Sequence, residues 1–286
     1  MIHEWIELPS GVEMHLVRHR PDAVAGSPML LVHGLASNAR LWDGVGRRLA
    51  AAGHEAIAVD QRGHGRSSKP DDGYDMVSVT DDLIALIELL GWERPLVAGQ
   101  SWGGNVVLEL GHRRPDLAGV VACVDGGFID LRIPFPEWED AATALAPPKL
   151  AGTPVERMRS VLATTASDWP EEGRNGTMAN FEVRDDGTIA PWLTAERHLQ
   201  VLRGLWEHRP STRYPEMQVP VLLIPADNGN VSWTHSKEEA VDAAVDALPR
   251  GRAHWFRPAH HDVHAQRPGE VADLLRAALT DPTFFE

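Results

Sequence analysis

The sequence predicts an α/β protein with a mostly parallel central sheet flanked by helices. Short apolar runs alternate with amphipathic helical segments along most of the chain. Several of these runs are uninterrupted, as expected for strands buried on both faces of a parallel sheet. A strand–helix–strand order implies right-handed crossovers, and therefore parallel strands. The alternation breaks once, between Phe128 and Pro215, which indicates an insertion.

The individual elements follow from local patterns. Residues 2–8 and 12–17 alternate around Pro9-Ser10-Gly11, which predicts an opening antiparallel hairpin. Further strands are predicted at 28–32, 55–59, 95–98, 117–124, 219–224 and 252–256. Helices are predicted at 40–52, 77–90, 105–114, 236–248 and 268–279.

The stretch from 128 to 215 contains helix-like pieces but no clear buried strand. We therefore predict a core of residues 1–127 and 216–286 with a helical cap inserted at 128–215. The cap contains four tryptophans: Trp138, Trp169, Trp192 and Trp206. They fit two interpretations, an apolar pocket for a bulky or aromatic substrate or simple packing of the cap onto the core.

Net charge and residue composition exclude several classes of partner and site. The net charge of −14 over 286 residues argues against nucleic acid and anionic membranes as partners. Cys123 is the single cysteine, so intrachain disulfides and multi-cysteine metal sites are excluded. No secretory leader or long apolar run is evident, so we expect a cytoplasmic protein. A small-molecule substrate is expected, and a monomer and a homodimer both stay open.

Gly99-Gln100-Ser101-Trp102-Gly103 lies between a predicted strand and a predicted helix. This Gly-x-Ser-x-Gly pattern is typical of a nucleophile elbow, the tight turn that exposes a serine hydroxyl. Such a turn has little room for flanking side chains, and glycine tolerates its strained dihedral angles. We therefore predict Ser101 as a nucleophile.

A serine nucleophile needs an adjacent base, and histidine has a suitable pKa. The loop after the last predicted strand contains three candidates: His260, His261 and His264. This loop belongs at the carboxyl edge of the sheet, where Ser101 is expected. We predict no metal site here, because His260 and His261 are sequence neighbours whose side chains diverge.

Acyl transfer also needs donors for the developing oxyanion. The backbone N–H of Trp102 follows the nucleophile and begins a helix, where the helix dipole favours negative charge. A second donor is expected from the loop after the strand at 28–32. Gly34 lets the main chain approach there, so the Leu35 N–H is the candidate.

These pieces, in this order, resemble the α/β-hydrolase superfamily. The resemblance rests on His33-Gly34, on 60–67 (Asp-Gln-Arg-Gly-His-Gly-Arg-Ser), on the elbow and on 261–264 running into Pro268. It implies an α/β-hydrolase fold with an inserted helical cap. The family histidine lies seven residues before that proline, which corresponds to His261. The resemblance also implies that 60–67 supports the site, without a catalytic role for Arg62 or His64.

The acidic residue departs from the usual family pattern. The family generally places an aspartate about five residues after the strand that ends at Ile224, but that position is Gly229. Asp227 lies two residues earlier, in a Gly/Asn-rich turn. Asp125 directly follows the strand at 117–124, a placement known in some members of the superfamily. We take Asp125 as the first choice and Asp227 as the alternative.

The resemblance and the residues together predict a serine hydrolase of an ester, a lactone or a related acyl compound, with no cofactor and no metal. A carbon–carbon bond hydrolase of ring-cleavage products is the main alternative. Cofactor-free oxygenases and small-molecule receptors share the fold and form a second alternative.

Overall fold

A computed structural model describes residues 1–281 and 283–285. Its central sheet has eight strands: β1 (Ile2–Glu7), β2 (Glu13–His19), β3 (Met29–Val32), β4 (Ala56–Val59), β5 (Leu96–Gln100), β6 (Val120–Val124), β10 (Val221–Ile224) and β11 (Gly251–Ala253). The strand order is β1-β2-β4-β3-β5-β6-β10-β11. β1 pairs antiparallel with β2, and β2 antiparallel with β4. From β4 to β11 every neighbouring pair is parallel, which confirms the predicted mostly parallel sheet.

Helices cover both faces of this sheet. They are α1 (Asp43–Ala51), α2 (Met76–Leu90), α3 (Trp102–Arg113), α8 (Val231–Ala247), α9 (Val263–Gln266) and α10 (Pro268–Thr280). Within β3, Leu30 and Val32 join the core cluster that contains residues of α2, α3 and α8. Met29 and Leu31 join the opposite cluster, with residues of α1 and α10. Because side chains alternate between two buried faces, the strand reads as an unbroken apolar run.

The chain between β6 and β10 forms four α-helices: α4 (Trp138–Ala144), α5 (Val155–Thr165), α6 (Glu171–Met178) and α7 (Ala195–Glu207). It also forms a small antiparallel sheet of β7 (Thr153–Pro154), β9 (Thr188–Pro191) and β8 (Phe181–Val183), which the sequence analysis did not predict. These strands have two to four residues, too short for alternation to be visible. The hairpin between β8 and β9 turns at Gly187, whose φ of 77° suits glycine. The limits of the two predicted domains stay a prediction.

Several element boundaries differ from expectation, and two of them lie near the site. α8 begins at Val231, before the predicted start at Ser236, and β11 ends at Ala253. Phe256 still meets the sheet through an isolated parallel bridge to Ala226. Together these shifts place the histidine-bearing loop and the first turns of α8 beside the end of β10. Within the described ranges, no helix combines the length and apolar character needed to cross a bilayer.

Candidate active site

Ser101 lies at the turn between β5 and α3, with φ 54° and ψ −122°. A positive φ is unfavourable for a residue with a Cβ and costs about 1–3 kcal/mol. The turn is held because Ser101 N donates to the carbonyl oxygen of Val124, at the end of β6, at 2.8 Å. This geometry is that of a nucleophile elbow: it lifts the serine out of the strand at the carboxyl edge of the sheet.

The elbow needs glycines at fixed places. A Cβ on Gly99 would lie 2.0 Å from the carbonyl oxygen of Gly103, and one on Gly103 would lie 2.4 Å from that of His33. A Cβ on Gly34 would lie 2.9 Å from Cβ of Ser101. The backbone after β3 therefore passes directly against the serine, as the sequence analysis expected of an oxyanion loop.

Both oxyanion candidates lie at this junction. Trp102 is the first residue of α3, where helical N–H groups lack partners within the helix. Leu35 follows the glycine that touches Ser101. Within the described residues, neither backbone N–H is engaged in a hydrogen bond. The two amides are thus free to donate to an oxygen atom beside Ser101.

His261 lies in the loop before α9, and its Nδ1 is 2.6 Å from Oδ2 of Asp125. Asp125 directly follows β6, with φ 42°. Its side chain is only 2% exposed, whereas that of His261 is 49% exposed. Nε2 of Gln100, the last residue of β5, donates to the backbone oxygen of His261 at 3.4 Å. This hydrogen bond links the strand before Ser101 to the loop that carries His261. The structure therefore brings His261 and Asp125 together at the edge where the elbow lies.

Asp125 also binds Lys237 of α8, a contact that the sequence analysis missed. Nζ of Lys237 donates to Oδ1 at 2.8 Å and to Oδ2 at 2.9 Å. It also donates to the carbonyl oxygen of Ala226 at 2.7 Å, while Ala226 N donates to Oδ1 at 3.0 Å. The only sequence signal was the rarity of lysine, which occurs three times in the chain. Such a signal does not reveal which helix face meets the carboxylate.

The charges at this site act in opposite directions on the two partners. Burial alone would raise the pKa of Asp125, but the hydrogen bond and charge of His261 and the charge of Lys237 outweigh it and hold the pKa below its usual value. Partial removal of the ring from water would by itself lower the pKa of His261, but Asp125 outweighs this effect and raises that pKa above 6.5. Lys237 partly opposes that rise. Asp125 is therefore ionised at neutral pH and favours a protonated partner.

Asp227, the alternative acid, forms a turn instead. Its Oδ1 accepts hydrogen bonds from Gly229 N at 2.9 Å and from Oγ1 of Thr234 at 2.8 Å. Arg257 lies 3.8 Å from its Oδ2. In the part of the chain that the structure describes, its carboxylate makes no hydrogen bond to His261. The contacts of Asp227 thus match the turn-forming interpretation.

The other two candidate histidines lie in different surroundings. His260 is half-exposed, accepts a hydrogen bond from Asp262 N at 3.1 Å, and packs edge-to-face on Trp169. His264 is fully buried, with its ring centroid 4.3 Å from that of Trp42. Burial lowers the pKa of His264 to about 4. Neither ring contacts a carboxylate in the way that His261 contacts Asp125.

The side chains of the loop at 60–67 contact neighbouring parts of the core, which fits the supporting role that the resemblance implies. Arg62 pairs with Asp82 at 2.6 Å, and both side chains are buried. His64 is fully buried; its Nδ1 is 3.0 Å from the carbonyl oxygen of Arg62, and its Nε2 accepts from Ala36 N. Burial holds the pKa of His64 well below 6.5. His64 thus remains neutral and supports the backbone after β3.

Three of the four tryptophans of the insertion (Trp138, Trp169 and Trp206) pack against other side chains of the protein. Trp206 is 8% exposed and meets Trp138 edge-on at 6.0 Å. Trp169 is 6% exposed and joins a small cluster that bridges the insertion and the core. Its contact with His260 nevertheless places an aromatic surface one residue from His261. These contacts favour the packing interpretation over an aromatic pocket built from all four side chains.

Comparison with known proteins adds independent information. Residues 29–274 match the profile of a family described as the alpha/beta hydrolase family. The chain is 29% identical over 211 residues to a 2-(acetamidomethylene)succinate hydrolase of Mesorhizobium japonicum, covering 72% of this chain and 73% of that protein. It is also 33% identical over 114 residues to epoxide hydrolase B of Mycobacterium tuberculosis, covering 39% of this chain and 32% of that protein.

Solved structures agree on the fold. The crystal structure of E-2-(acetamidomethylene)succinate hydrolase superposes with a TM-score of 0.77 at 21% identity, covering 97% of this chain and 98% of that one. An enol-lactonase from Burkholderia xenovorans LB400 superposes with a TM-score of 0.69 at 17% identity, covering 97% and 100% of the two chains. At these identities the likeness concerns the fold.

Proposed function

The chain belongs to the alpha/beta hydrolase family, and from this premise we propose that it is a serine hydrolase that cleaves an ester or lactone through an acyl-enzyme. Ser101 is the nucleophile, His261 the base and Asp125 the acid. The backbone amides of Leu35 and Trp102 form the oxyanion hole. The observation that carries the proposal is the Asp125–His261 hydrogen bond at the sheet edge where Ser101 occupies a strained elbow.

The contacts of His261 and Asp125 support these roles. Because Nδ1 of His261 is bound to a carboxylate, its proton is held there and Nε2 presents a lone pair. Nε2 takes the proton of the Ser101 hydroxyl as the oxygen attacks the substrate carbonyl, and the ionised Asp125 stabilises the resulting imidazolium. The two amides donate to the oxyanion. His261 then returns the proton to the leaving group, and water hydrolyses the acyl-enzyme with His261 again as the base.

A fluorophosphonate probe tests this mechanism without knowledge of the substrate. The probe reacts with activated serines, so we expect stoichiometric labelling that peptide mass spectrometry locates at Ser101. A small-molecule receptor on the same fold would stay unlabelled. Labelling at another serine, or none in folded protein, would reject the mechanism.

We propose a small, bulky apolar or aromatic ester or lactone as the substrate. Support for the lactone comes from the shared fold of the enol-lactonase, and the bulky apolar or aromatic group rests on the tryptophan-rich insertion. A panel of p-nitrophenyl esters and lactones of graded size tests this choice. Preference for large apolar acyl groups would support it, and equal turnover of acetyl and bulky esters would contradict it.

A second candidate is favoured by a specific finding. The Mesorhizobium relative matches over 72% of this chain, so 2-(acetamidomethylene)succinate is a direct substrate to assay. Turnover of this compound in preference to every ester and lactone of the panel would replace the first candidate. The serine mechanism would be retained, since the nucleophile and base do not depend on which acyl group is attacked.

Replacing each candidate acid with asparagine, one at a time, separates their roles. Asp125→Asn is expected to lower kcat about 10⁴-fold, because an amide facing Nδ1 favours the wrong imidazole tautomer. Asp227→Asn should cost roughly tenfold or less, through weakened turn hydrogen bonds. Both values come from steady-state kinetics, with circular dichroism to confirm folding. A collapse of activity in Asp227→Asn with an active Asp125→Asn would move the acid to position 227.

A further inference from the structure

Lys237 contributes more than the hydrogen bond that a buried carboxylate requires. Each oxygen of Asp125 already has a donor without it: Ala226 N for Oδ1 and His261 Nδ1 for Oδ2. Lys237 adds a contact to both oxygens, at 2.8 and 2.9 Å. Satisfying buried polar atoms therefore does not account for this lysine. What it adds is a positive charge and a fixed plane for the carboxylate.

Two further hydrogen bonds, one from Lys237 and one from Thr234, fix the position of Lys237. Its third contact, to the carbonyl oxygen of Ala226, ties the ammonium to the end of β10. Thr234, one helical turn earlier on α8, is bound to Asp227. The turn around Asp227 thus anchors the first turns of the helix that delivers Lys237 to Asp125. The lysine side chain is 25% exposed, so its charge is only partly screened by solvent.

The positive charge of Lys237 affects the protonation of His261. In the resting site Lys237 and Asp125 neutralise each other. When His261 gains a proton, one carboxylate lies between two cations, and Lys237 reduces the stabilisation that Asp125 gives to the imidazolium. Other groups act on His261 as well. Asp262, on the same loop, favours its protonated form, and His264 lies close enough for the two rings to influence each other.

We propose that Lys237 is a positioning residue of the hydrolase: it holds the Asp125 carboxylate in the plane that meets His261, and its charge sets the pH at which His261 becomes a base. This inference rests on the proposed function. It assigns Lys237 no contact with the substrate. It also gives Asp227 an indirect role, as the anchor of the helix that carries Lys237.

Lys237→Met removes the charge. The acidic limb of kcat/KM reports deprotonation of the free enzyme's base, and loss of a nearby positive charge makes the imidazolium easier to form. We expect that limb to move to higher pH by about one unit, the order of magnitude for charges separated by a few ångströms at a partly solvated site. Lys237→Arg keeps the charge, so its limb should stay at the wild-type pH even where altered geometry lowers kcat. Lys149→Met removes the same charge from an exposed position in the insertion and should leave the limb unchanged.

A second measurement needs no turnover. The imidazole nitrogen resonances of His261, followed by NMR against pH in the Ser101→Ala background, should titrate about one unit higher when Lys237 is also replaced. If Lys237→Met does not fold, Lys237→Gln is the neutral variant for both measurements. An unchanged titration midpoint in a folded neutral variant overturns the Lys237 proposal. A shifted midpoint, combined with no fluorophosphonate labelling of Ser101 in the wild-type protein, supports the electrostatic coupling and rejects the hydrolase function instead.

Discussion

Replacing Ser101 with alanine is expected to lower kcat about 10⁶-fold, the loss seen when the nucleophile of a serine triad is removed. The physical reason is that no other hydroxyl is held at the elbow, so neither the oxyanion amides nor His261 has an attacking atom to assist. Alanine preserves the Cβ and the backbone conformation at φ 54°. The melting temperature should therefore stay close to that of the wild type, which separates loss of chemistry from loss of fold.

Ser160→Ala is the matched control for this experiment. Ser160 is exposed on α5, and its hydroxyl only donates to the carbonyl oxygen of Glu156 at 2.9 Å. This variant should keep wild-type turnover and wild-type labelling by the fluorophosphonate probe. If Ser101→Ala, correctly folded, retains activity within tenfold of wild type, the acyl-enzyme mechanism is wrong.

His261→Ala should cost about as much as loss of the serine, because a serine hydroxyl without its base is a weak nucleophile. The structure supplies two natural comparisons, His260 on the same loop and His264 in α9. His260→Ala removes a half-exposed ring that packs on Trp169, so kcat should fall only slightly. His264→Ala empties a buried position against Trp42, so its main effect should be a lower melting temperature.

Steady-state kinetics and thermal denaturation of the three alanine variants distinguish these outcomes. For His264→Ala, kcat is compared well below the melting temperature, so that only folded molecules are counted. A folded His261→Ala variant with near-normal kcat would contradict the assignment. So would a folded His260→Ala or His264→Ala variant that is as inactive as Ser101→Ala.

The sheet and the elbow could be predicted from the sequence because their determinants are local. An apolar run such as 28–32 encodes a strand buried on both faces, and the structure confirms one at Met29–Val32. Gly99 is required by a contact only four residues away, since a Cβ there would lie 2.0 Å from the carbonyl oxygen of Gly103. The small sheet of the insertion escaped prediction because its strands, of two to four residues, are too short to carry an alternating pattern.

Which aspartate contacts His261 could be decided only from the tertiary structure. Asp125 and Asp227 each follow a strand that ends at the same edge of the sheet, so spacing along the chain could not separate them. The structure distinguishes them through contacts across 136 residues to His261 and across 112 residues to Lys237. Asp227 is occupied by its own turn and by Thr234. Local sequence determined where the elbow and the Trp102 amide lie, because backbone geometry acts over a few residues. Only the packing of α8 and the loop before α9 decided which carboxylate meets His261, and which charge lies beside it, because those distances are set between elements far apart in the chain.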